Sequence, residues 1–116
     1  MQQNNPNYLY KIVTKSEWDN IQKEDLDISN ARDKEDGYVH LSTASQVERI
    51  AKKYYKDMQD GYLLKITYAK IKANTEWEPN SLGELYAHSY MQIFKQFVID
   101  PILLTVPSFN FKILEV

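Results

Sequence analysis

Apolar residues follow two different rhythms along this chain, and the rhythm changes several times. Tyr8, Leu9, Tyr10, Ile12 and Val13 crowd branched and aromatic side chains into a run that predicts a strand. Thr14-x-x-Glu17 follows as a capping box, in which the hydroxyl accepts from an early helical N–H and the glutamate reaches back to the cap. It opens a short helix with Trp18 and Ile21 on its apolar side, ending near Lys23 or Glu24. The clearest helical period comes later. Val47, Ile50, Ala51, Tyr54 and Tyr55 fall at i, i+3, i+4, i+7 and i+8, with Glu48, Arg49, Lys52 and Lys53 on the opposite face. Thr43-x-x-Gln46 caps this second helix, and the Asp60-Gly61 turn sets its outer limit.

Between the two helices, Asp25 to Asp36 is polar, mixed in charge and without a period. It reads as a surface loop, long for a small domain and suited to the mobile rim of a site. Asp36-Gly37 then turns the chain into a strand from Tyr38 to Leu41. Beyond the second helix the pattern is strand-like: Tyr62 to Tyr68, Thr75 to Glu78 stopped by Pro79-Asn80, and Glu84 to Tyr90. Met91 to Ile99 follows, ended by Asp100-Pro101, and then Phe109 to Val116 after Pro107. Two early helices leave too few crossovers for parallel strands. The chain therefore reads as α+β with mostly antiparallel sheet.

A length of 116 residues suits one domain. Residues 1–7 are expected to form a disordered lead and residues 8–116 the domain. The lead has neither the basic start nor the apolar run of a signal peptide, and no segment approaches the ~20 apolar residues of a membrane span. The expectation is a soluble, cytoplasmic protein. A net charge of −2, with only Arg32 and Arg49 as arginines and scattered lysines, gives no strong nucleic-acid signal. The absence of cysteine removes disulfides, thiolate nucleophiles and cysteine zinc sites. Nine tyrosines, four phenylalanines and two tryptophans suit strand packing, and equally a cleft for a flat ligand.

Candidate chemistry centres on the only two histidines. Strand alternation puts Tyr38, His40 and Ser42 on one face, opposite Val39 and Leu41. Ser42 and Thr43 then open a helix whose unsatisfied N–H groups favour an anion such as a nucleotide phosphate. The competing reading is that Ser42 and Thr43 only cap the helix and His40 is a hydrogen-bonded structural residue. His88 shares a face with Tyr86 and Tyr90, a trio suited either to stacking on a planar ring or to a buried aromatic ladder. No metal site is expected, because the histidines stand far apart and no H-E-x-x-H occurs. Neither a G-x-S-x-G elbow nor a phosphate-binding glycine pattern occurs, and three glycines leave little room for one.

Several short pieces together resemble a family of small bacterial proteins, the domain of unknown function 952. They are Tyr10-Lys11-Ile12 with Glu17-Trp18, Asp36-Gly37-Tyr38-Val39-His40-Leu41-Ser42, Gln46, Leu63-Leu64, Trp77-Glu78 and Tyr86-Ala87-His88-Ser89-Tyr90, covering roughly residues 8 to 100 in order. The chain departs from the family pattern at Ala87, usually proline, and at Met91-Gln92-Ile93, often Gly-Pro-Leu. The resemblance implies an ADP-ribosyltransferase-like fold: two packed, mostly antiparallel sheets with two N-terminal helices, around a cleft that in relatives holds NAD. It brings no established reaction. Within it, His40 and Glu78 are the candidate catalytic residues, Glu78 being the carboxylate for an oxocarbenium-like centre. Tyr10 and His40 hold the ribose, Trp77 walls the cleft, and Ser42, Thr43, His88 and Tyr90 contact the ligand. NAD enters as substrate, and no other cofactor is called for. The implied function is binding of a nucleotide-type ligand, with transfer or hydrolysis of an ADP-ribosyl or 2′-phosphate group. The alternative left open is a non-catalytic binding or interaction module on the same fold.

Overall fold

The computed structural model describes residues 5–116, so part of the expected 1–7 lead lies outside the described residues. Strand β1 (Tyr8–Thr14) passes directly into helix α1 (Lys15–Glu24). The Thr14 capping box forms: the Glu17 N–H donates to Thr14 Oγ1 at 3.1 Å, and the Thr14 N–H donates to Glu17 Oε1 at 2.8 Å. Trp18 and Ile21 are buried, as the period requires.

The segment expected to be a loop contains a helix, α2 (Ala31–Asp36). Its start signal is a third capping box, Asn30-x-x-Asp33, with mutual hydrogen bonds of 2.9 and 3.0 Å. One alanine and five charged residues carry no apolar period, so only the caps mark this helix. Gly37, in the left-handed region at φ 87°, closes it. Strand β2 (Val39–Leu41) follows, then helix α3 (Ala44–Tyr54). Val47 and Ala51 are buried on the expected face, but Tyr54 is exposed.

Strand β3 (Gly61–Thr67) stops one residue short of expectation, and Tyr68 begins a single-turn helix, α4 (Tyr68–Ile71). Strands β4 (Thr75–Pro79) and β5 (Leu85–Ser89) match the two expected strands and pair as an antiparallel hairpin. Two later expectations are corrected. The strand expected over Met91–Ile99 begins only at Val98, after a 3₁₀ turn at Lys95–Phe97, and passes through Asp100-Pro101 as β6 (Val98–Leu104). Leu63 pairs with Ile102 and Lys65 with Ile99, so β6 carries one extra residue there. Asp100 adopts φ 44° in this bulge, and Pro101, which has no N–H to donate, sits where the ladder is already broken. Phe109 to Val116 is not a strand. Asn110 Oδ1 accepts from the Lys112 N–H and starts a 3₁₀ turn that buries Phe111. The described residues thus hold four α-helices rather than two.

The chain is α+β, with two three-stranded antiparallel sheets ordered β1-β3-β6 and β2-β5-β4. Tyr10 and Ser42 join the sheets through paired backbone hydrogen bonds of 2.7 and 2.9 Å. Leu9, Val13, Leu64 and Ile66 of the first sheet meet Val39, Leu41 and Ala87 of the second in one apolar cluster. The other face of the first sheet, including Ile12 and Leu63, packs on Val47 and Ala51 of α3. Full burial of each such aliphatic side chain contributes about 1.5–3 kcal/mol. The second sheet buries only one face. Because Val39, Leu41 and Ala87 point to the core, alternation sends the intervening side chains outward, and the candidate site lies on that outward face. Among the described residues, no helix is long and apolar enough to cross a membrane.

Candidate functional site

Register fixes the centre of the site. His40 of β2 and His88 of β5 are direct cross-strand partners, with ring centroids 5.3 Å apart and planes at 72°. Tyr38 stacks on His88 at 4.0 Å and 21°, and its ring lies 5.4 Å from Tyr90. Tyr38, His40 and His88 border a hollow of about 340 Å³, floored by His40, Ser42, Tyr86, His88 and Glu78. Arg32 of α2, Arg49, Lys53 and Tyr54 of α3, and the tip of the β4–β5 hairpin wall it.

His40 is held from α2. Its Nδ1 lies 2.5 Å from Asp33 Oδ1, and its Nε2 lies 3.0 Å from Asp36 Oδ2. Asp33 also takes the His40 backbone N–H at 3.1 Å and pairs with Lys11 Nζ at 2.7 Å, both side chains being almost fully buried. Burial pushes the Asp33 carboxyl up. Hydrogen bonds from His40, Lys11 and the Asn30 backbone, together with the Lys11 charge, outweigh that and bring it down to about 2.

His88 is held differently. Its Nδ1 lies 2.6 Å from Glu78 Oε1, which also accepts from the Tyr90 hydroxyl at 2.7 Å. Those two donors hold the Glu78 carboxyl below its ordinary range. Reciprocally, the Glu78 acceptor pushes the Tyr90 phenol up to about 12. No described residue hydrogen-bonds His88 Nε2, and no buried side-chain nitrogen or oxygen among the described residues lacks a partner. This nitrogen therefore opens to solvent. With a carboxylate acceptor at Nδ1, the neutral tautomer that fits this contact carries its N–H at Nδ1 and its lone pair at Nε2.

The start of α3 is already occupied. The Thr43 N–H donates to Gln46 Oε1 at 3.1 Å, and Gln46 Nε2 donates to the Leu85 carbonyl at 2.8 Å and to Glu84 at 3.3 Å. An anion docking there would meet the Glu84 carboxylate. Glu84 in turn holds Arg49 Nη2 at 2.6 Å, with the Tyr86 hydroxyl 3.1 Å away.

The structure thus brings His40, Ser42, Glu78 and His88 to one hollow, while Tyr90 hydrogen-bonds Glu78 but is outside the lining. It does not bring the other expected residues there. Tyr10 is 1% exposed, and its hydroxyl donates to the Glu115 carbonyl at 2.7 Å on the α3 side of the first sheet. Trp77 alternates with Glu78 and so faces inward, where its Nε1–H donates to the Tyr68 hydroxyl at 3.0 Å. Neither residue reaches a ligand in the hollow. Thr43 is buried at the helix cap, outside the lining. The reading of the sequence missed Asp33, Lys11 and Asp36, which orient His40. The Asn30-x-x-Asp33 pattern was the available signal for Asp33.

The profile of a family described as "Protein of unknown function (DUF952)" matches residues 12–100. The chain is similar to the X-ray crystal structure of protein CC0527 from Caulobacter crescentus, at 25% identity and a TM-score of 0.79 over 87% of this chain and 89% of that one. Against the solution NMR structure of CC0527 the values are 24% identity and a TM-score of 0.77, over 88% of each chain. No curated protein matches.

Proposed function

Starting from a chain that belongs to the DUF952 family of unknown function, we propose that the hollow binds a nucleotide-type, NAD-derived ligand on an ADP-ribosyltransferase-like fold. We propose further that His88 moves a proton during transfer or hydrolysis of an ADP-ribosyl or 2′-phosphate group. One observation carries this reading: His88 is oriented by Glu78 at Nδ1, has no described partner at Nε2, and lines the same hollow as His40. In NAD hydrolysis, a water oxygen bonds to ribose C1′ and gives its proton to His88 Nε2. The C1′–nicotinamide bond breaks, and its electron pair leaves with nicotinamide. Glu78 keeps its negative charge, which favours both the imidazolium and the developing positive charge at C1′. Positioned proton transfer of this kind contributes about 10²–10⁴-fold in rate.

Thermal shift with ADP-ribose and chromatographic detection of nicotinamide released from NAD test the reading. Stabilisation and turnover are expected, with turnover reduced about 10²–10⁴-fold in His88→Ala. Absence of both overturns it. A non-catalytic binder is the second reading, favoured by the engagement of His40 Nε2 with Asp36 and of Glu78 Oε1 with two donors. Stabilisation without consumption of NAD selects it.

A further inference from the structure

The chain has two arginines, Arg32 and Arg49, 17 positions apart by number, and both line the one hollow. We propose that they form a fork-like seat for the phosphate groups of the ligand, and that the ligand is therefore a diphosphate-bearing compound rather than a bare nucleoside or base. The proposal rests on the reading of the hollow as a ligand site and names the class of ligand it takes.

Arg49 is fixed in place without being used up. Glu84 takes its Nη2 through both carboxylate oxygens at 2.7 and 2.6 Å, and Tyr86 adds a contact at 3.1 Å to that same nitrogen. Nη1 and Nε have no partner among the described residues, so single N–H donors of the guanidinium remain for an incoming oxyanion, although both two-donor edges include the occupied Nη2. Arg32 meets Asp36 only at 3.8 Å, beyond hydrogen-bond distance. More than half of each arginine side chain is open to solvent. Lys53 Nζ and Arg32 Cζ lie 5.2 and 5.6 Å from the centroid of the Tyr54 ring. This explains why Tyr54, at an apolar helical position, is exposed: its ring is a platform for cations at the hollow's wall.

The carboxylates nearby are Glu84, Asp36 and Glu78. Glu84 is committed to Arg49, Glu78 to His88 and Tyr90, and Asp36 to His40. They orient the cations and the rings, and a phosphate gains charge-assisted, paired hydrogen bonds from the Arg32 fork and single ones from Arg49 Nη1 or Nε. Such a group at the α2–α3 wall leaves the rest of the ligand over the histidine floor.

Calorimetric titration of the wild-type protein with ADP-ribose, inorganic pyrophosphate and adenosine tests the seat. ADP-ribose and pyrophosphate are expected to bind and adenosine to bind at least about tenfold more weakly. Arg32→Gln and Arg49→Gln are each expected to weaken ADP-ribose binding about tenfold or more. Arg32→Lys keeps the charge beside Asp36 and guards against a folding artefact; it too is expected to bind more weakly, because the fork is lost. Equal affinity for adenosine and ADP-ribose, or unchanged affinity in both Arg32→Lys and Arg49→Gln, overturns the seat while leaving the hollow as a ligand site. Failure of ADP-ribose and pyrophosphate to bind the wild-type protein overturns both. Pyrophosphate binding retained without NAD turnover supports the seat and removes the proton-transfer role of His88.

Discussion

Asp33 and His40 are joined twice: one carboxylate oxygen of Asp33 accepts the backbone N–H of His40 at 3.1 Å and lies 2.5 Å from its ring Nδ1. The other oxygen takes Lys11 Nζ at 2.7 Å and the Asn30 N–H at 3.0 Å. A buried carboxylate is tolerated here because all these groups face it. The same contacts tie β1, α2 and β2 together and fix the imidazole at the edge of the hollow.

Removal of one partner is therefore costly. Asp33→Asn leaves the Lys11 ammonium buried without a counter-charge and should lower stability by about 3–5 kcal/mol in urea denaturation. Adding Lys11→Met to Asp33→Asn should recover part of that loss, because the orphaned charge goes with the lysine. No recovery in the double variant would show that the buried charge is not the cause.

Acid should reveal the same pair. The folded-state value of about 2 for Asp33 lies below its ordinary 3.8, so its contribution is full above about pH 4 and is lost as pH falls toward 2. The difference corresponds to about 2 kcal/mol. The stability gap between wild type and Asp33→Asn should narrow by about 2 kcal/mol over that window. A constant gap down to pH 2 would contradict the assignment.

Glu78 and Tyr90 make an independently measurable pair. With the carboxylate removed in Glu78→Gln, the Tyr90 phenol should fall from about 12 toward the ordinary value near ~10. Phenolate absorbance titrations, with Tyr90→Phe as the reference, follow this directly. An unchanged Tyr90 titration in Glu78→Gln would rule out the hydrogen bond as its cause.

Gln46 links α3 to β5 through the Thr43 N–H and the Leu85 carbonyl and is itself buried. Gln46→Ala should cost about 1–3 kcal/mol, since it strands both backbone groups. A loss below about 0.5 kcal/mol, within the range of surface substitutions, would mean that water replaces the amide at no penalty.

The elements that the sequence announced are those with two concordant signals. Thr14-x-x-Glu17 preceded Trp18 and Ile21, and Thr43-x-x-Gln46 preceded Val47 and Ala51, so cap and period agreed. Asn30-x-x-Asp33 had the cap alone and was read as loop. Phe109, Phe111 and Ile113 alternate like a strand, yet a local Asn110 turn decides the backbone there. The Asp100-Pro101 pair looked like a stop, because a bulge that absorbs it depends on the facing strand β3. At the site, alternation correctly grouped Tyr38, His40 and Ser42, but it does not say which sheet face meets another layer. Tyr10 and Trp77 were placed in a cleft although both point away from it, and the Lys11–Asp33 pair joins segments that only the fold brings together.

The placement of Trp77 and Tyr10 also makes a contrast. Trp77→Phe removes the hydrogen bond to Tyr68 and should lower the melting temperature while leaving ADP-ribose affinity within about twofold, since neither residue lines the hollow. Tyr10→Phe should likewise leave affinity unchanged. A tenfold loss of affinity in either variant, with the fold intact, would return that residue to the site.

Two histidines in the chain give two sets of imidazole signals in a ¹H–¹⁵N spectrum tuned to ring nitrogens, assignable from His40→Ala and His88→Ala. Titration with ADP-ribose is the most direct test of the hollow as a ligand site. Both rings should shift together along one binding curve, with His88 Nε2 moving most. Ring signals that stay fixed at saturating ADP-ribose, or a response from one histidine with the other unmoved, would contradict a shared site.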